Sequence, residues 1–205
     1  YGTGATHRVT TTDAERGDPG NAYNTYQHPG LPVGPISNPG DDAIDAAGQK
    51  NLVGTFHPPA LVVVDPSLLD TLDPRQLASG YAEVLKYGLI GDPAFFAWCE
   101  AHGAALLAGD RDARLYALTT CIRAKSRIVA VDPHDGNGQR ALLNLGHSFG
   151  HAIEAIAGIG ALLHGEAVAI GMVIAFRLSV LLDQCPEDDV AQLADHLASV
   201  GLPTR

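Results

Sequence analysis

One stretch of the chain, from Leu142 to Met172, places three histidines among small and apolar residues. Two of them, His147 and His151, are four residues apart, so on an α-helix their imidazole rings lie on one face. The third, His164, comes just before Gly165, where a second helical pattern begins. Burying imidazoles in an apolar environment is costly unless they bind something, and a divalent metal is a common partner. The stretch therefore indicates part of a metalloenzyme.

The composition favours a globular protein. The chain has 205 residues, of which 46% are hydrophobic, enough for one domain or a domain and a half. A formal net charge of −10 argues against nucleic acid or an anionic membrane as a partner. No run of about twenty apolar residues is present, so no membrane span is expected, and no secretory signal is visible. The odd number of cysteines predicts reduced core residues of a cytoplasmic protein, at Cys99, Cys121 and Cys185.

The chain changes character along its length. Residues 1–42 are rich in Gly, Thr, Asn, Asp and Pro without regular periodicity, which predicts a disordered arm, and a helical metal and substrate domain is predicted over 43–205. The run ALVVVD at 60–65 predicts a short buried strand. The remaining periodicity is helical and predicts helices over 75–88, 93–107, 110–131, 141–157, 165–183 and 187–199. Without β–α alternation, these elements predict a mainly α fold.

A carboxylate and a lysine lie on one face of the first predicted helix. Glu83 and Lys86 are three residues apart, and taken alone such a pair is usually solvated. Here Ala82, Val84 and Leu85 leave little of the helix polar. A carboxylate in that setting needs a cation, and zinc held by one Glu and two His with an open position is a common catalytic arrangement.

Other polar residues occupy positions suited to an anionic ligand. Lys125 falls within a predicted apolar stripe, where it either extends its ammonium to solvent or binds an anionic group. Arg140 and Asn144 are four residues apart and continue one predicted helical face into His147. Arg140 suits a phosphate or carboxylate, and Asn144 suits a hydroxyl. Lys50 and Asn51 are further candidate polar contacts. The stripe consists of Leu115, Leu118, Cys121, Ile122, Ile128 and Val129.

The spacing of the histidines leaves their roles open. His147 and His151 form an HxxxH pattern like the metal pair of zincin helices, but Ser148 stands where a zincin has Glu. Equally, one of the two binds metal while the other transfers protons. The simplest structural alternative for each is a core histidine that is hydrogen-bonded to a backbone carbonyl.

Three segments resemble a known family. SGYAEVLKYGLIGDPAFFAW, RALLNLGHSFGHAIEA and LLHGEAVAIGM are similar to the substrate domain of 3-dehydroquinate synthase, a sugar phosphate cyclase, and the resemblance runs from about residue 43 to the C-terminus. It implies a carbon–oxygen lyase that uses NAD and one zinc or cobalt ion per chain. The implied reaction converts 3-deoxy-D-arabino-heptulosonate 7-phosphate to 3-dehydroquinate and phosphate, in the shikimate pathway to aromatic amino acids. A small anionic sugar phosphate as substrate and a homodimer are also implied.

The resemblance also implies residue roles. His151 would transfer protons, and Asp135 matches an acidic position of the family. The metal ligands would be Glu83, His147 and His164. The catalytic and substrate-binding residues would include Lys86, Lys125, Arg140, Asn144 and Asn51. The residues bordering NAD would be Lys50, Leu68, Leu69, Asp70 and Thr71.

The sequence departs from the family before residue 43. No Gly-rich strand-to-helix turn precedes residue 60, and Asp41 stands where the family has a lysine, so we expect the NAD domain to be missing and residues 1–42 to be foreign or frame-shifted. Turnover by this chain alone is then in question. Two alternatives remain: another sugar phosphate cyclase, such as a 2-deoxy-scyllo-inosose synthase, or a non-catalytic metal-binding remnant. Asn144 directly before Leu-Gly-His favours the dehydroquinate synthase.

Overall fold

The computed structural model describes residues 61–131, 138, 140–158 and 161–205, together with the backbone of four short strands before them. The chain divides into two compact units, 1–68 and 69–205. In the first unit, β1 (Arg8–Val9) pairs antiparallel with β2 (Tyr26–Gln27), and β3 (Asp42–Ala46) pairs antiparallel with β4 (Gln49–Thr55). The arm predicted to be disordered, 1–42, lies outside the described residues apart from β1, β2 and the first residue of β3.

The strand predicted over 60–65 is wrong for the part that the structure describes. Residues 61–65 form no strand, and Leu61 is 78% exposed. An apolar run becomes a buried strand only when neighbouring strands pair with its N–H and C=O groups. Among the described residues no strand pairs with it. Instead Asp65 Oδ1 accepts hydrogen bonds from the backbone N (2.9 Å) and Oγ (2.7 Å) of Ser67, where the 3-10 helix Pro66–Thr71 begins.

The second unit is helical, which confirms the predicted mainly α class. Two of its helices begin at an Asp-Pro pair, in which the aspartate side chain caps the helix. Asp73 Oδ1 accepts from the backbone N of Gln76 at 3.0 Å, and Asp92 Oδ1 accepts from the backbone N of Phe95 at 2.9 Å. The helices of the described part are α1 (Pro74–Leu89), α2 (Pro93–Leu107), α3 (Arg111–Val131), α4 (His147–Ala157), α5 (His164–Leu181) and α6 (Glu187–Ser199).

The single helix predicted over 141–157 is wrong. A 3-10 helix, Arg140–Asn144, ends before Gly146, which has φ +81°, and α4 begins at the next residue. A Cβ on Gly146 would lie 2.7 Å from Cγ of Met172, so both the backbone conformation and the close approach require glycine. Arg140 and Asn144 therefore do not continue the face of α4 that carries His147.

Helix α5 occupies the centre of the unit and packs against α1, α4 and α6. Its residues from Gly165 to Val173 are buried. A Cβ on Gly165 would lie 1.8 Å from the backbone O of Ser79 in α1, and one on Gly171 would lie 2.0 Å from the backbone O of Gly146. Helix α5 thus meets α1 and the start of α4 backbone to backbone. Although α5 is long and apolar enough to cross a membrane, half of it is buried in the protein, as is typical of a core helix.

The apolar stripe predicted on α3 is wrong in part. Leu115 and Ile122 are 53% and 43% exposed, whereas Ala113 and Ala117 are buried. The helix packs through these alanines because small side chains allow a close approach to α1 and α2. Its buried cation is Arg114, whose Nε donates to the backbone O of Leu106 (3.1 Å) and whose Nη1 donates to Asp70 Oδ1 (2.5 Å).

The cysteines carry no disulfide, as the sequence predicts. Cys99 is buried in α2, whereas Cys121 in α3 and Cys185 in the turn after α5 are only half-buried.

A buried tyrosine–histidine pair joins α1 to α6. The hydroxyl of Tyr81 donates to the backbone O of Cys99 (3.1 Å) and lies 2.8 Å from Nε2 of His196, which therefore carries the hydrogen of that bond. Burial lowers the pKa of His196, although the carboxylate of Glu100 acts in the opposite direction. Burial thus favours a neutral imidazole in the folded state.

We expect the substitution Gly171→Ala to lower the free energy of unfolding in urea by about 1–3 kcal/mol, because the added methyl group would overlap the backbone of Gly146. Alanine is the better helix former by about 1 kcal/mol, so helix propensity alone predicts the opposite sign. Ala101→Ser, at an exposed position of α2, is the control and should change little. A stabilised Gly171→Ala variant would contradict the close approach of the helices.

We also expect the free energy of unfolding to fall as the pH decreases from 7 to 5, in part because of His196. Its folded pKa lies below the unfolded value of about 6.5, so the unfolded chain binds more protons as the pH drops through that range. Urea unfolding of His196→Gln should show a flatter pH dependence than the parent. His102→Gln, which changes an exposed histidine of α2, should keep the parental slope; equal slopes for both variants would contradict the expectation.

Candidate metal centre

Glu83 lies in the middle of α1, in a stretch of the helix whose Ala82 and Leu85 are fully buried. Its Oε2 accepts a hydrogen bond from Nζ of Lys86 at 2.6 Å, and the Lys86 side chain is only 5% exposed. The pair is therefore not the solvated ion pair that its spacing alone suggests. The other oxygen, Oε1, is buried and has no hydrogen-bond partner among the residues that the structure describes. A buried carboxylate oxygen in that condition is destabilising unless a cation or donor reaches it.

Two histidine rings face this oxygen. Nε2 of His147 lies 3.3 Å, and Nε2 of His164 3.9 Å, from Oε1 of Glu83. These histidines are the first residues of α4 and α5, the helices that meet at Gly171. The close packing of the helices therefore places both rings beside the carboxylate of α1.

The Nδ1 atoms determine how each ring presents its other nitrogen. Nδ1 of His147 lies 3.2 Å from the backbone O of Leu145, and Nδ1 of His164 lies 3.2 Å from Oε2 of Glu154. Carbonyl and carboxylate oxygens only accept hydrogen bonds, so in the neutral rings Nδ1 carries the hydrogen and donates it. Each Nε2 then directs a lone pair toward Glu83.

The charges of the centre match what metal ligands require. Burial opposes ionisation of Glu83, but the charges of Lys86 and of the two histidines outweigh it and lower the pKa of Glu83 to about 2. Burial lowers the pKa of His147 to about 4, although Glu83 acts in the opposite direction. At neutral pH the carboxylate is ionised and the His147 ring is neutral, which are the forms that bind metal.

These residues fit a divalent cation. The ligand atoms of Glu83, His147 and His164 all lie within 4.8 Å of one another. One carboxylate oxygen and two imidazole nitrogens form a donor set of catalytic zinc sites that leave a position open. A cation between them would also satisfy the buried Oε1 of Glu83.

His151 lies one turn after His147 on α4 and is exposed. Its ring centroid is 5.5 Å from that of His147 and 5.8 Å from that of His164. Its own candidate metal group contains Glu154 and His164, and within the described part of the chain no candidate group holds both His147 and His151. The geometry therefore does not favour the HxxxH pair as the pair of metal ligands.

The other predicted substrate-binding residues differ in exposure. Lys125 is half-buried in α3. Arg140 is buried and Asn144 is exposed, at opposite ends of the 3-10 helix. Asp135 lies outside the described residues.

The predicted cofactor-bordering residues lie in two places. Leu68, Leu69, Asp70 and Thr71 belong to the 3-10 helix Pro66–Thr71, and of these Asp70 and Thr71 are exposed. The carboxylate of Asp70 is bound by Arg114. Lys50 and Asn51 lie in β4, whose side chains are outside the described part.

Two carboxylates that sequence patterns did not single out hold the start of α5. Glu166 binds Arg75 through two hydrogen bonds, of 2.6 and 2.7 Å, and its Oε2 also accepts from the backbone N of Leu163 at 2.8 Å. Glu154 binds the ring of His164. Helical spacing was the available signal for Glu154, which lies seven residues after His147 and three after His151.

Comparison with protein families gives three matches. The model for the 3-dehydroquinate synthase C-terminal family matches residues 80–205, and the model for the 3-dehydroquinate synthase N-terminal family matches residues 36–79. A third model, that of the YceG-like family, matches residues 1–53.

Individual relatives and solved structures agree with the family match. A 3-dehydroquinate synthase from Rhodospirillum rubrum is 60% identical over 166 residues, which cover 80% of this chain and 43% of that protein. The structure of a 2-epi-5-epi-valiolone synthase from Streptomyces hygroscopicus with NAD+ and Zn²⁺ bound is 32% identical, with a TM-score of 0.74 over 81% of this chain and 46% of the other. A 2-deoxy-scyllo-inosose synthase complexed with carbaglucose-6-phosphate, NAD+ and Co²⁺ is 26% identical, with a TM-score of 0.65 over 81% and 46%.

The chain thus spans less than half the length of the curated relatives that it matches. The C-terminal family model nevertheless covers most of the chain, including the three residues that face one another at the centre. On that match, this chain belongs to the 3-dehydroquinate synthase C-terminal family.

Proposed function

We propose that this chain is the metal- and substrate-binding part of a 3-dehydroquinate synthase. The reaction would convert 3-deoxy-D-arabino-heptulosonate 7-phosphate to 3-dehydroquinate and phosphate. The observation that carries the proposal is the convergence of Glu83, His147 and His164 on a buried oxygen without a hydrogen-bond partner in the described structure. In the proposal these three residues bind one zinc or cobalt ion.

The chemistry assigned to the chain follows from its charges. A bound divalent cation supplies a Lewis acid that polarises a substrate hydroxyl, and NAD supplies the hydride acceptor. Lys86 binds Oε2 of Glu83, which leaves Oε1 directed at the two histidines, and its buried ammonium adds positive charge beside the anionic substrate. His151, exposed next to the rings of His147 and His164, is suited to transferring a proton between substrate and solvent.

The remaining roles are proposed from the family resemblance. Lys125, Arg140, Asn144 and Asn51 would bind the carboxylate, phosphate and hydroxyls of a small sugar phosphate. Lys50 and the segment Leu68–Thr71 would border NAD, and the structural neighbours with bound NAD+ support a nicotinamide cofactor. A homodimer in the cytoplasm completes the proposal.

Another sugar phosphate cyclase activity is the second candidate, because the structural neighbours include two such enzymes. Their identities of 32% and 26% are well below the 60% shared with the Rhodospirillum rubrum 3-dehydroquinate synthase. The higher identity favours dehydroquinate formation.

Metal analysis of the purified, desalted chain tests the ligand set. We expect about one zinc per chain in the parent, loss of metal in Glu83→Ala, His147→Ala and His164→Ala, and retention in His151→Ala, because each of the first three removes a converging ligand. His102→Ala is the control for loss of an unrelated histidine. A metal-free parent, or equal losses in His151→Ala and His147→Ala, would contradict the assignment.

A hybrid enzyme tests the reaction. Residues 80–205 of this chain would replace the matching segment of the Rhodospirillum rubrum synthase, and we expect 3-dehydroquinate and phosphate as products. In the hybrid, His151→Ala should lower kcat by about 10²–10⁴-fold with metal content unchanged, because it removes only proton transfer.

The control for the hybrid is His102→Gln, which should keep the full kcat. A different cyclised product would support the second candidate. A folded, metal-loaded hybrid that releases no phosphate would instead indicate a non-catalytic metal-binding remnant and contradict the proposed function.

A further inference from the structure

We propose that Glu154 is a positioning residue that fixes the ring of His164 for metal binding. Its carboxylate accepts the hydrogen of Nδ1, so that the lone pair of Nε2 points toward Glu83. This inference rests on the proposed metal centre, since it assigns the support of one of its ligands.

The contact is a direct and largely buried one. Oε2 of Glu154 lies 3.2 Å from Nδ1 of His164, and the two side chains are 17% and 21% exposed. Partial burial strengthens a hydrogen bond between a carboxylate and an N–H donor relative to the same bond in water. The bond therefore limits rotation of the ring as well as selecting its tautomer.

The helices that carry the two residues have little freedom to separate. Glu154 lies on α4 and His164 begins α5, and a Cβ on Gly150 of α4 would lie 3.2 Å from the backbone N of Val168 in α5. The backbone just before His164 is held independently, because Glu166 binds both Arg75 and the N–H of Leu163. With the backbone fixed in this way, rotation of the His164 side chain is the freedom that Glu154 removes.

The rings of the two histidines donate hydrogen bonds to different kinds of acceptor. His147 donates to a neutral backbone carbonyl, that of Leu145, whereas His164 donates to a carboxylate. A carboxylate acceptor raises the basicity of the opposite ring nitrogen more than a neutral carbonyl does. His164 is also the histidine farther from Glu83 Oε1, at 3.9 Å against 3.3 Å. Cation binding by His164 therefore depends more on a correctly oriented ring than cation binding by His147 does.

A competing role for Glu154 is that of a ligand. Glu154, His151 and His164 have ligand atoms within 4.8 Å of one another, so they form a second candidate cation group. A ring nitrogen that carries a hydrogen for Glu154 has no lone pair for a cation, so the positioning role and this second group exclude each other at Nδ1 of His164. The number of metal ions per chain distinguishes them.

Metal affinity is the first test. Chelator-treated parent, Glu154→Gln and Glu154→Ala proteins would be titrated with Zn²⁺ against a competing indicator. We expect Glu154→Ala to bind about 10–100-fold more weakly, and Glu154→Gln to lie between it and the parent, because the amide oxygen still accepts the hydrogen bond without charge. One ion per chain should bind in all three. Glu187→Gln, which removes an exposed carboxylate of α6, is the control and should match the parent.

A second readout does not depend on metal. In ¹⁵N-histidine-labelled, metal-free protein near neutral pH, the His164 signals should show hydrogen on Nδ1 in the parent and a shift toward hydrogen on Nε2 in Glu154→Ala. His164→Gln assigns the signals. A Glu154→Ala protein with parental affinity and an unchanged tautomer, or a parent that binds two ions, would overturn the inference. A parent that binds no ion would instead contradict the proposed function, and the tautomer would still decide the bond to Glu154.

Discussion

The backbone-to-backbone packing of α5 is the constraint on which the rest of the second unit depends. Gly165 meets Ser79 of α1, and Gly171 meets Gly146 at the start of α4, at separations that leave no room for a Cβ. The three helices that supply Glu83, His147 and His164 are therefore fixed by contacts between main chains, which vary less than contacts between long side chains. The positions of these three side chains follow from the packing of the core, because each of them lies within one or two turns of such a contact.

The same packing brings an incompletely satisfied carboxylate into the centre. Lys86 neutralises one oxygen of Glu83, and the other oxygen faces two imidazole rings that have no hydrogen to donate to it. Removing one partner from a buried ion pair is strongly destabilising, so Lys86 contributes to the fold as well as to the chemistry proposed for it. Within the described residues, that oxygen is the atom of the site left without a hydrogen-bond donor.

Helical periodicity predicted the second unit well, because five of the six predicted helices lie within a few residues of the observed ones. The failures have tertiary causes. The break at Gly146 depends on the approach of Met172, and the run at 61–65 lacks a strand to pair with in the described structure. At the site, spacing gave three candidate histidines without choosing among them, and family resemblance suggested the ligands. Glu154 was missed because its importance depends on the neighbouring helix.

The position of the two histidines at the first residues of α4 and α5 has an electrostatic consequence. The peptide dipoles of a helix sum to a partial positive charge at its N-terminus, so both helices direct positive potential toward the carboxylate of Glu83. That potential disfavours a protonated His147 ring, in the same sense as burial, and favours an ionised Glu83, in the same sense as the charge of Lys86. The fold thus supplies a field, from groups that cannot titrate, that favours the forms of Glu83 and His147 that the proposed metal site requires.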